Sequence, residues 1–511
     1  MPFVLKSHFS VLKSQINCKR FIYARTNSDK QNIQMNIATK PVSIDSILMA
    51  DLVAQRSHAK AAGIENYQQR REHLLALKAM ITENQARIIE AINQDYGNRS
   101  RHETLLAEII NACADINSTL KHLKKWMKVQ KRHVDHRMYL GAKNRVIPQP
   151  LGVVGLIVPW NFPINLAFSQ LAAAFAAGNK AMVKMSENSR HLSALLGELV
   201  GHYFKPEKLQ FYCETGEVGI AFSKLPFDHL MFTGSGETGK KVMAAAAQNL
   251  TPVTLELGGK SPAVIATDYP MQKAVERIMY VKQMNAGQIC TNVDYVFVHQ
   301  SQLALFIDTA TRWAKKHVPD IHSQDYTAII DDRAFKRLTT CIEEAKQLGA
   351  DVITLSDQVA DANTRKLPLT LILNSNDSMS IDTRETFGPI LMVKTYQDSQ
   401  QVVDYIAGRD RPLAFYPFSY NKQLINFYIE QVMSGGVSVN DALFHVGQHD
   451  LPFGGVGASG MGHYHGYEGF LTFSKLRPVF YQAKFSSVKF LMPPYGRFAD
   501  KLLAFLSKLN S

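Results

Sequence analysis

From Ser43 to about Val129, apolar residues recur every three or four positions in segments rich in Ala, Leu, Glu, Gln and Lys. This pattern predicts long amphipathic helices, notably over Asn66 to Asn93 and Glu103 to Lys128. Between Arg137 and Pro150 the period is lost, and the chain reads as a two-stranded arm around a turn at Gly141. From Leu151 onward the texture changes. Short continuous apolar runs (Leu151 to Val158, Ala181 to Met185, Leu209 to Cys213, His229 to Phe232, Val253 to Leu257) alternate with helical segments. Strands that are apolar on both faces and separated by helices predict an α/β fold with a parallel sheet covered on both sides. The alternation resumes after Cys290 with Tyr295 to His299, Leu367 to Leu373, Leu391 to Tyr396, Ala414 to Tyr420 and Gly435 to Val439, enough for a second α/β unit. The two units meet between about Leu257 and Cys290, and small-molecule sites favour such a crevice.

Composition changes this picture little. With 511 residues and 46% hydrophobic content, the chain is long enough for two or three domains. The net charge of +13 is concentrated at the ends, with +5 in residues 1–34 and +6 in residues 475–511, which leaves the body at +2. A nearly neutral body without an aromatic and basic strand motif argues against a nucleic-acid partner. No run of 18 apolar residues is present, so no integral membrane segment is expected. In the first residues, Leu5, Phe9, Leu12 and Ile16 fall at helical spacing beside Lys6, Lys13, Lys19 and Arg20. That pattern reads either as an organelle transit peptide or as a disordered extension, with Met35 as an alternative start. At the other end, Phe498, Leu502, Phe505 and Leu509 share a helical face near Lys501 and Lys508, an amphipathic tail suited to the protein itself, a partner subunit or an anionic membrane surface. The five cysteines form no CxxC pair, so a reducing compartment, the cytoplasm, is expected.

Candidate chemistry begins at Cys290, at the end of Asn285-Ala286-Gly287-Gln288-Ile289 and just before a strand. A thiol at such a junction is expected to be partly exposed and electropositive, with a lowered pKa. A lone cysteine is ordinarily a small buried hydrophobe, so its standing depends on segments elsewhere. Gly234, Ser235, Gly236 and Gly239 follow a strand and open a helix, where backbone N–H groups favour phosphate. The spacing fits the dinucleotide fingerprint, with Glu256 20 residues beyond Gly236 as the ribose acid. It also approaches a P-loop, but Lys241 stands where Ser or Thr must hold Mg²⁺. A second ribose candidate is Lys184 and Glu187, which leave the carboxyl end of an apolar strand. Asn161 follows another strand in Pro159-Trp160-Asn161-Phe162-Pro163. Glu256 lies in an apolar strand 34 residues before Cys290, where desolvation would raise its pKa. Glu385 and Phe387 precede Gly388-Pro389, and a glycine-dense, flexible loop runs from Leu451 to Gly462. His445, His449, His463 and His465 cluster in sequence but lack HExxH spacing, so no metal is expected.

Together these segments resemble the NAD(P)-dependent aldehyde dehydrogenase superfamily from about Lys40 to Tyr481. The 95 residues from Asn161 to Glu256 are similar to its class 3 branch. Cys290 to Val296 and the Pro-Pro-Tyr-Gly tail look most similar to coniferyl aldehyde dehydrogenases. The resemblance implies a Rossmann-type cofactor domain (residues 40–136 and 151–257), a catalytic domain (258–475), an oligomerisation arm (137–150 and 476–490), a basic extension (1–39) and a tail (491–511). It implies Cys290 as nucleophile, Asn161 with the Cys290 N–H as oxyanion donors, and Glu256 as general base. It also implies NAD or NADP bound by Trp160, Lys184, Glu187, Gly234, Ser235, Glu385 and Phe387. Phe453 and Tyr295 are candidates for an aromatic substrate pocket and equally for core. The implied substrate is a small-molecule aldehyde, aromatic or long-chain, and the implied assembly a homodimer. Two other activities compete: reduction that acylates coenzyme A, and a non-catalytic scaffold of the crystallin kind.

Overall fold

The computed structural model describes residues 43–136, 139–484, 486 and 491–510. The extension expected before Lys40 lies outside the described residues. The helical start resolves into Ile44–Ala62, Tyr67–Thr82, Gln85–Tyr96 and Arg101–Thr104. The last continues through a six-residue π-helical stretch, Leu105–Ile110, into Asn111–Trp126. Each of the longer ones turns a Leu, Ile or Ala stripe inward, for example Leu74, Leu77 and Ile81, all fully buried.

The first sheet has six strands, in the order Gly460–Met461, Val253–Leu257, His229–Gly234, Val153–Ile157, Lys180–Lys184 and Leu209–Tyr212. All pair in parallel except Gly460–Met461. Continuous apolar sequence therefore does what it predicts, and every residue of Val153–Ile157 is buried. The chain starts in the middle of this sheet, runs to one edge and then crosses to His229–Gly234 on the other side. Ligands bind where the order reverses, beyond the carboxyl ends of the two diverging strands. Pro159 to Phe162 and Gly234 to Gly236 occupy that place.

The second sheet runs Asp351–Thr354, Thr370–Leu373, Ile390–Tyr396, Val293–His299, Ser261–Ile265, Ala414–Phe418 and Gly436–Val437. Only three residues, Gly258 to Lys260, separate the last strand of the first sheet's parallel set from Ser261–Ile265. So short a crossing sets the carboxyl edge of one sheet opposite the amino edge of the other. The cleft lies between these edges, and the loops before Val293 and Ile390 face it.

Three expectations need correction. The arm pairs Lys143–Pro150 with Gln130–Arg132 on one side and Ser474–Tyr481 on the other, so its first strand precedes the stretch assigned to it. The glycine-dense segment is no free loop: Gly460 and Met461 pair with Glu256 and Leu255. The strands Ser261–Ile265 and Asp351–Thr354 escape the apolar reading, the first because Pro262 interrupts it and the second because it is half exposed. The tail does form a helix, Arg497–Asn510, with Ala499 buried and Phe498, Leu503 and Phe505 exposed. No helix among the described residues is long and apolar enough to cross a membrane.

Gly460 makes the strand carrying Glu256 possible. Its φ is +142°, and an added Cβ would fall 2.2 Å from the Leu255 carbonyl oxygen. Gly460→Ala should therefore cost about 1–3 kcal/mol and lower the thermal midpoint, whereas an unchanged midpoint would contradict this packing.

Candidate active site

The Cys290 loop is built against backbone preference. Asn285 (φ 52°), Ala286 (φ 49°) and Gly287 (φ 71°) are consecutive left-handed residues, a conformation that costs non-glycine residues energy and persists only under external constraint. The constraint is visible. Asn285 donates its backbone N–H to Glu103 Oε2 at 3.0 Å and its side-chain amide to the carbonyls of Gln288 (3.1 Å) and Asn161 (3.3 Å). Gln288 donates to the Ala328 carbonyl at 3.1 Å and accepts the Ile330 N–H at 3.0 Å. An added Cβ on Gly287 would lie 2.2 Å from the Gly388 carbonyl.

The same network holds Asn161. Its carbonyl accepts from Arg99 Nη1 (2.7 Å), the Tyr96 hydroxyl (3.2 Å) and the Asn285 amide. Its side-chain Nδ2 donates to the Gln288 carbonyl at 3.2 Å, two residues before the thiol. Arg99 is fully buried against Glu108 at 3.3 Å. Glu108 Oε2 in turn accepts the N–H groups of Ile164 (2.9 Å) and Asn165 (2.8 Å), capping the helix Pro163–Ala177, whose own N-cap, Phe162, has no capping side chain. Burial pushes the Glu108 carboxyl up to about 7 against the pull of Arg99.

Cys290 is partly exposed to the cleft, as expected, but its surroundings are not electropositive. Burial and then the nearby Glu385 and Glu256 carboxyls push the thiol up to about 12, opposed only by the N–H groups of Thr291 and Cys290 that face the sulfur. The resting nucleophile is therefore the protonated thiol, because the sequence shows the polar flanks and not the acids that fold brings near them. Glu256 is 3% exposed, both carboxyl oxygens have no protein partner, and desolvation raises its pKa well above 4.5. A buried carboxyl without a donor is costly and keeps its proton.

One cleft of about 1560 Å³ is lined by Cys290, Asn161, Glu256, Trp160, Glu187, Gly234, Ser235, Glu385, Phe387 and Phe453. Ser235 caps the helix Gly236–Ala247, accepting the Thr238 N–H, and the free N–H groups of that turn open to the cleft as a phosphate site would require. Glu385 is half-buried, with a buried and unpartnered Oε1 and its pKa pushed up to about 8 by burial and then by Asp294. It offers an acceptor to a sugar hydroxyl. Trp160 meets Phe387 edge-on at 5.5 Å. Lys184 is held by Glu214 at 2.7 Å, and Glu187 is exposed at the rim. Lys184 does not line the cleft; the other groups do, and they fit a dinucleotide laid from the glycine turn toward Cys290.

Tyr295 lines the cleft, though it is only 2% exposed and packs on Phe297 and Tyr405 of the second sheet's side, while Phe453 and Tyr464 pack edge to face at the other wall. The four histidines form no metal group, and none occurs among the described residues; His449 instead pairs with Asp115. Arg99, Glu103, Glu108, Asn285 and Glu214 escaped the sequence reading. The available signal was charge on the inward stripe of the helical segment from Arg101 to Trp126, where Glu103 and Glu108 interrupt it; Arg99, in the loop before it, carries no such signal.

The aldehyde dehydrogenase family model matches residues 43–479. A probable coniferyl aldehyde dehydrogenase of Pseudomonas aeruginosa is 44% identical over 457 residues, which cover 89% of this chain and 95% of the relative. The coniferyl aldehyde dehydrogenase of Pseudomonas sp. strain HR199 is 43% identical over 449 residues, 87% and 93% of the two chains. The substrate-bound state of Staphylococcus aureus AldH superposes with a TM-score of 0.85 at 30% identity, covering 92% of this chain and 100% of that one.

Two outcomes follow from the geometry. Arg99→Met leaves Glu108 buried without a counter-charge and should cost about 3–5 kcal/mol of stability in denaturant unfolding; a loss within experimental error would contradict the pairing. Above pH 4.5, the ordinary carboxyl value, unfolded chains release the proton that folded Glu256 retains, so this group costs stability as pH rises toward its raised value. Relative to wild type, Glu256→Gln should gain stability with rising pH across that window, and a pH-independent difference would contradict the assignment.

Proposed function

The chain belongs to the aldehyde dehydrogenase family, and on that premise we propose that it oxidises an aromatic aldehyde such as coniferaldehyde to the carboxylic acid with NAD or NADP. The observation that carries the reading is the meeting of three sequence-distant groups, Cys290, Asn161 and Glu256, on one cleft beside the glycine turn. The two Pseudomonas relatives, named for coniferyl aldehyde, support the substrate class.

In this mechanism the Cys290 sulfur gives its proton to solvent water in the cleft and attacks the aldehyde carbon. The carbonyl oxygen gains the negative charge and is held by the Cys290 N–H and the Asn161 amide. One N–H of that amide is fixed on Gln288, which orients the other. A bound nicotinamide ring supplies a positive charge and the acceptor for the hydride leaving that carbon. The acyl group then remains on sulfur as a thioester. Glu256, once deprotonated, takes a proton from water, the water oxygen bonds to the acyl carbon, and the carbon–sulfur bond breaks to return the thiol. With no donor to quiet it, Glu256 is a strong base as soon as it ionises. Its presence also argues against transfer to coenzyme A, and the intact set argues against a non-catalytic scaffold.

Aliphatic wall residues, Leu106, Leu166 and Val446 among them, favour a second reading in which a long-chain aldehyde is the substrate. A homodimer joined through the arm agrees with the exposed Leu476, Phe480 and Tyr481 on its outer strand. A cytoplasmic setting agrees with the free thiols Cys113, Cys213, Cys290 and Cys341.

Stopped-flow kinetics test the assignment. Cys290→Ala should abolish NADH formation, and Glu256→Gln should keep a burst of about one NADH per site followed by a rate down by about 10²–10⁴. Retained turnover in Cys290→Ala would exclude the mechanism. Rates with coniferaldehyde, benzaldehyde and decanal decide between the two substrate classes.

A further inference from the structure

Beyond Cys290, away from the glycine turn, the cleft is walled by hydrocarbon and aromatic side chains: Leu106, Phe162, Leu166, Leu443 and Phe453. Two carboxamides interrupt that wall, Asn111 and Asn165. Both are held by the scaffold that fixes Asn161. Asn165 gives its backbone N–H to Glu108 at 2.8 Å, and its Oδ1 accepts from Asn111 Nδ2 at 3.0 Å and lies 3.2 Å from the Ser169 hydroxyl. Its acceptor is thus occupied. Asn111 is the first residue after the π-helical stretch Leu105–Ile110, and π turns inside helices often mark functional sites. It is partly exposed on the cleft, and the bond from its amide to Asn165 sets the orientation of its carboxamide. Asn165 lies in the first turn of the helix Pro163–Ala177, just after the loop that carries the oxyanion amide of Asn161, and both line the cleft.

An oriented acceptor in an apolar channel has a use only for a substrate that carries a hydrogen-bond donor away from its aldehyde. We propose that Asn111 is a specificity-determining residue whose side-chain carbonyl accepts the hydroxyl of a ring-hydroxylated aromatic aldehyde, with Asn165 as the group that fixes its orientation. The inference rests on the reading of this cleft as an aldehyde site and deepens it: the preferred class is the phenolic aldehyde, in contrast to unsubstituted aryl or alkyl aldehydes. Sequence reasoning had no access to Asn111, because an Asn within an amphipathic helix reads as solvated surface.

The test compares kcat and KM for 4-hydroxy-3-methoxycinnamaldehyde, its 4-O-methyl ether and cinnamaldehyde, in wild type and in Asn111→Leu, which keeps the volume and removes the acceptor. One neutral hydrogen bond corresponds to a preference of about tenfold. Wild type should prefer the phenol over its methyl ether by about that factor in kcat/KM, chiefly through KM. Asn111→Leu should lower kcat/KM for the phenol by about tenfold more than for cinnamaldehyde and so erase the preference. Equal losses on all three substrates, or a phenol preference that survives in Asn111→Leu, would overturn the inference while leaving the aldehyde site intact. Failure of wild type to oxidise any of the three would overturn both. Asn111→Ala, which also removes the acceptor, supplies the same comparison if the leucine variant does not fold.

Discussion

A single peptide carbonyl, that of Asn161, is the point on which the site depends. Three donors converge on it, from Arg99, Tyr96 and Asn285. Tyr96 ends the helix Gln85–Tyr96 and Arg99 follows it by three residues, whereas Asn285 belongs to the strained turn before Cys290. The carbonyl therefore ties the loop carrying the amide to the loop carrying the thiol. Neither loop is regular structure, and the left-handed residues Asn285 and Ala286 would relax without such ties. The strain at the thiol loop is borne by hydrogen bonds buried several residues away.

Burial sets both the cost and the chemistry of this arrangement. Arg99 and Glu108 are fully buried, and a buried pair of this kind adds little net stability while its rupture is expensive. Its contribution here is fixed geometry: Glu108 caps the helix that begins at Pro163, and Arg99 points at Asn161. Glu256, buried without a partner, and Glu385, where burial and Asp294 outweigh the pull of Lys260 and Arg337, are both pushed toward the neutral acid. The acids also raise the thiol. A resting site whose groups all hold their protons is unreactive until a ligand changes the local charge, which suits a nucleophile kept beside a cleft open to solvent.

Much of this was legible in the sequence, for identifiable reasons. Parallel strands buried on both faces announce themselves as continuous apolar runs, so Val153–Ile157 and Ile390–Tyr396 were found nearly to the residue. The site loops follow those runs directly, and Asn161, Gly234 and Glu385 could be picked from chain breaks beside strands. What was not legible is whatever depends on pairing between distant segments. Gly460 and Met461 look like part of a flexible loop until Glu256 is set opposite them. Glu108 looks like an ordinary helix charge, and Arg99 like an ordinary loop charge, until both are turned inward. The protonated state of Cys290 was misjudged because polar neighbours in sequence suggested an electropositive setting, whereas the groups that decide it, Glu385 and Glu256, lie 95 and 34 residues away.

The claim beneath the whole account is that the sulfur of Cys290, and no other, meets the aldehyde carbon. Peptide mapping by mass spectrometry after rapid acid quench of the protein with coniferaldehyde and NAD addresses it directly. The account predicts an acyl mass on the peptide containing Cys290 and on none containing Cys113, Cys213 or Cys341. An acyl group on one of those thiols, or turnover with Cys290 unmodified throughout, would contradict it.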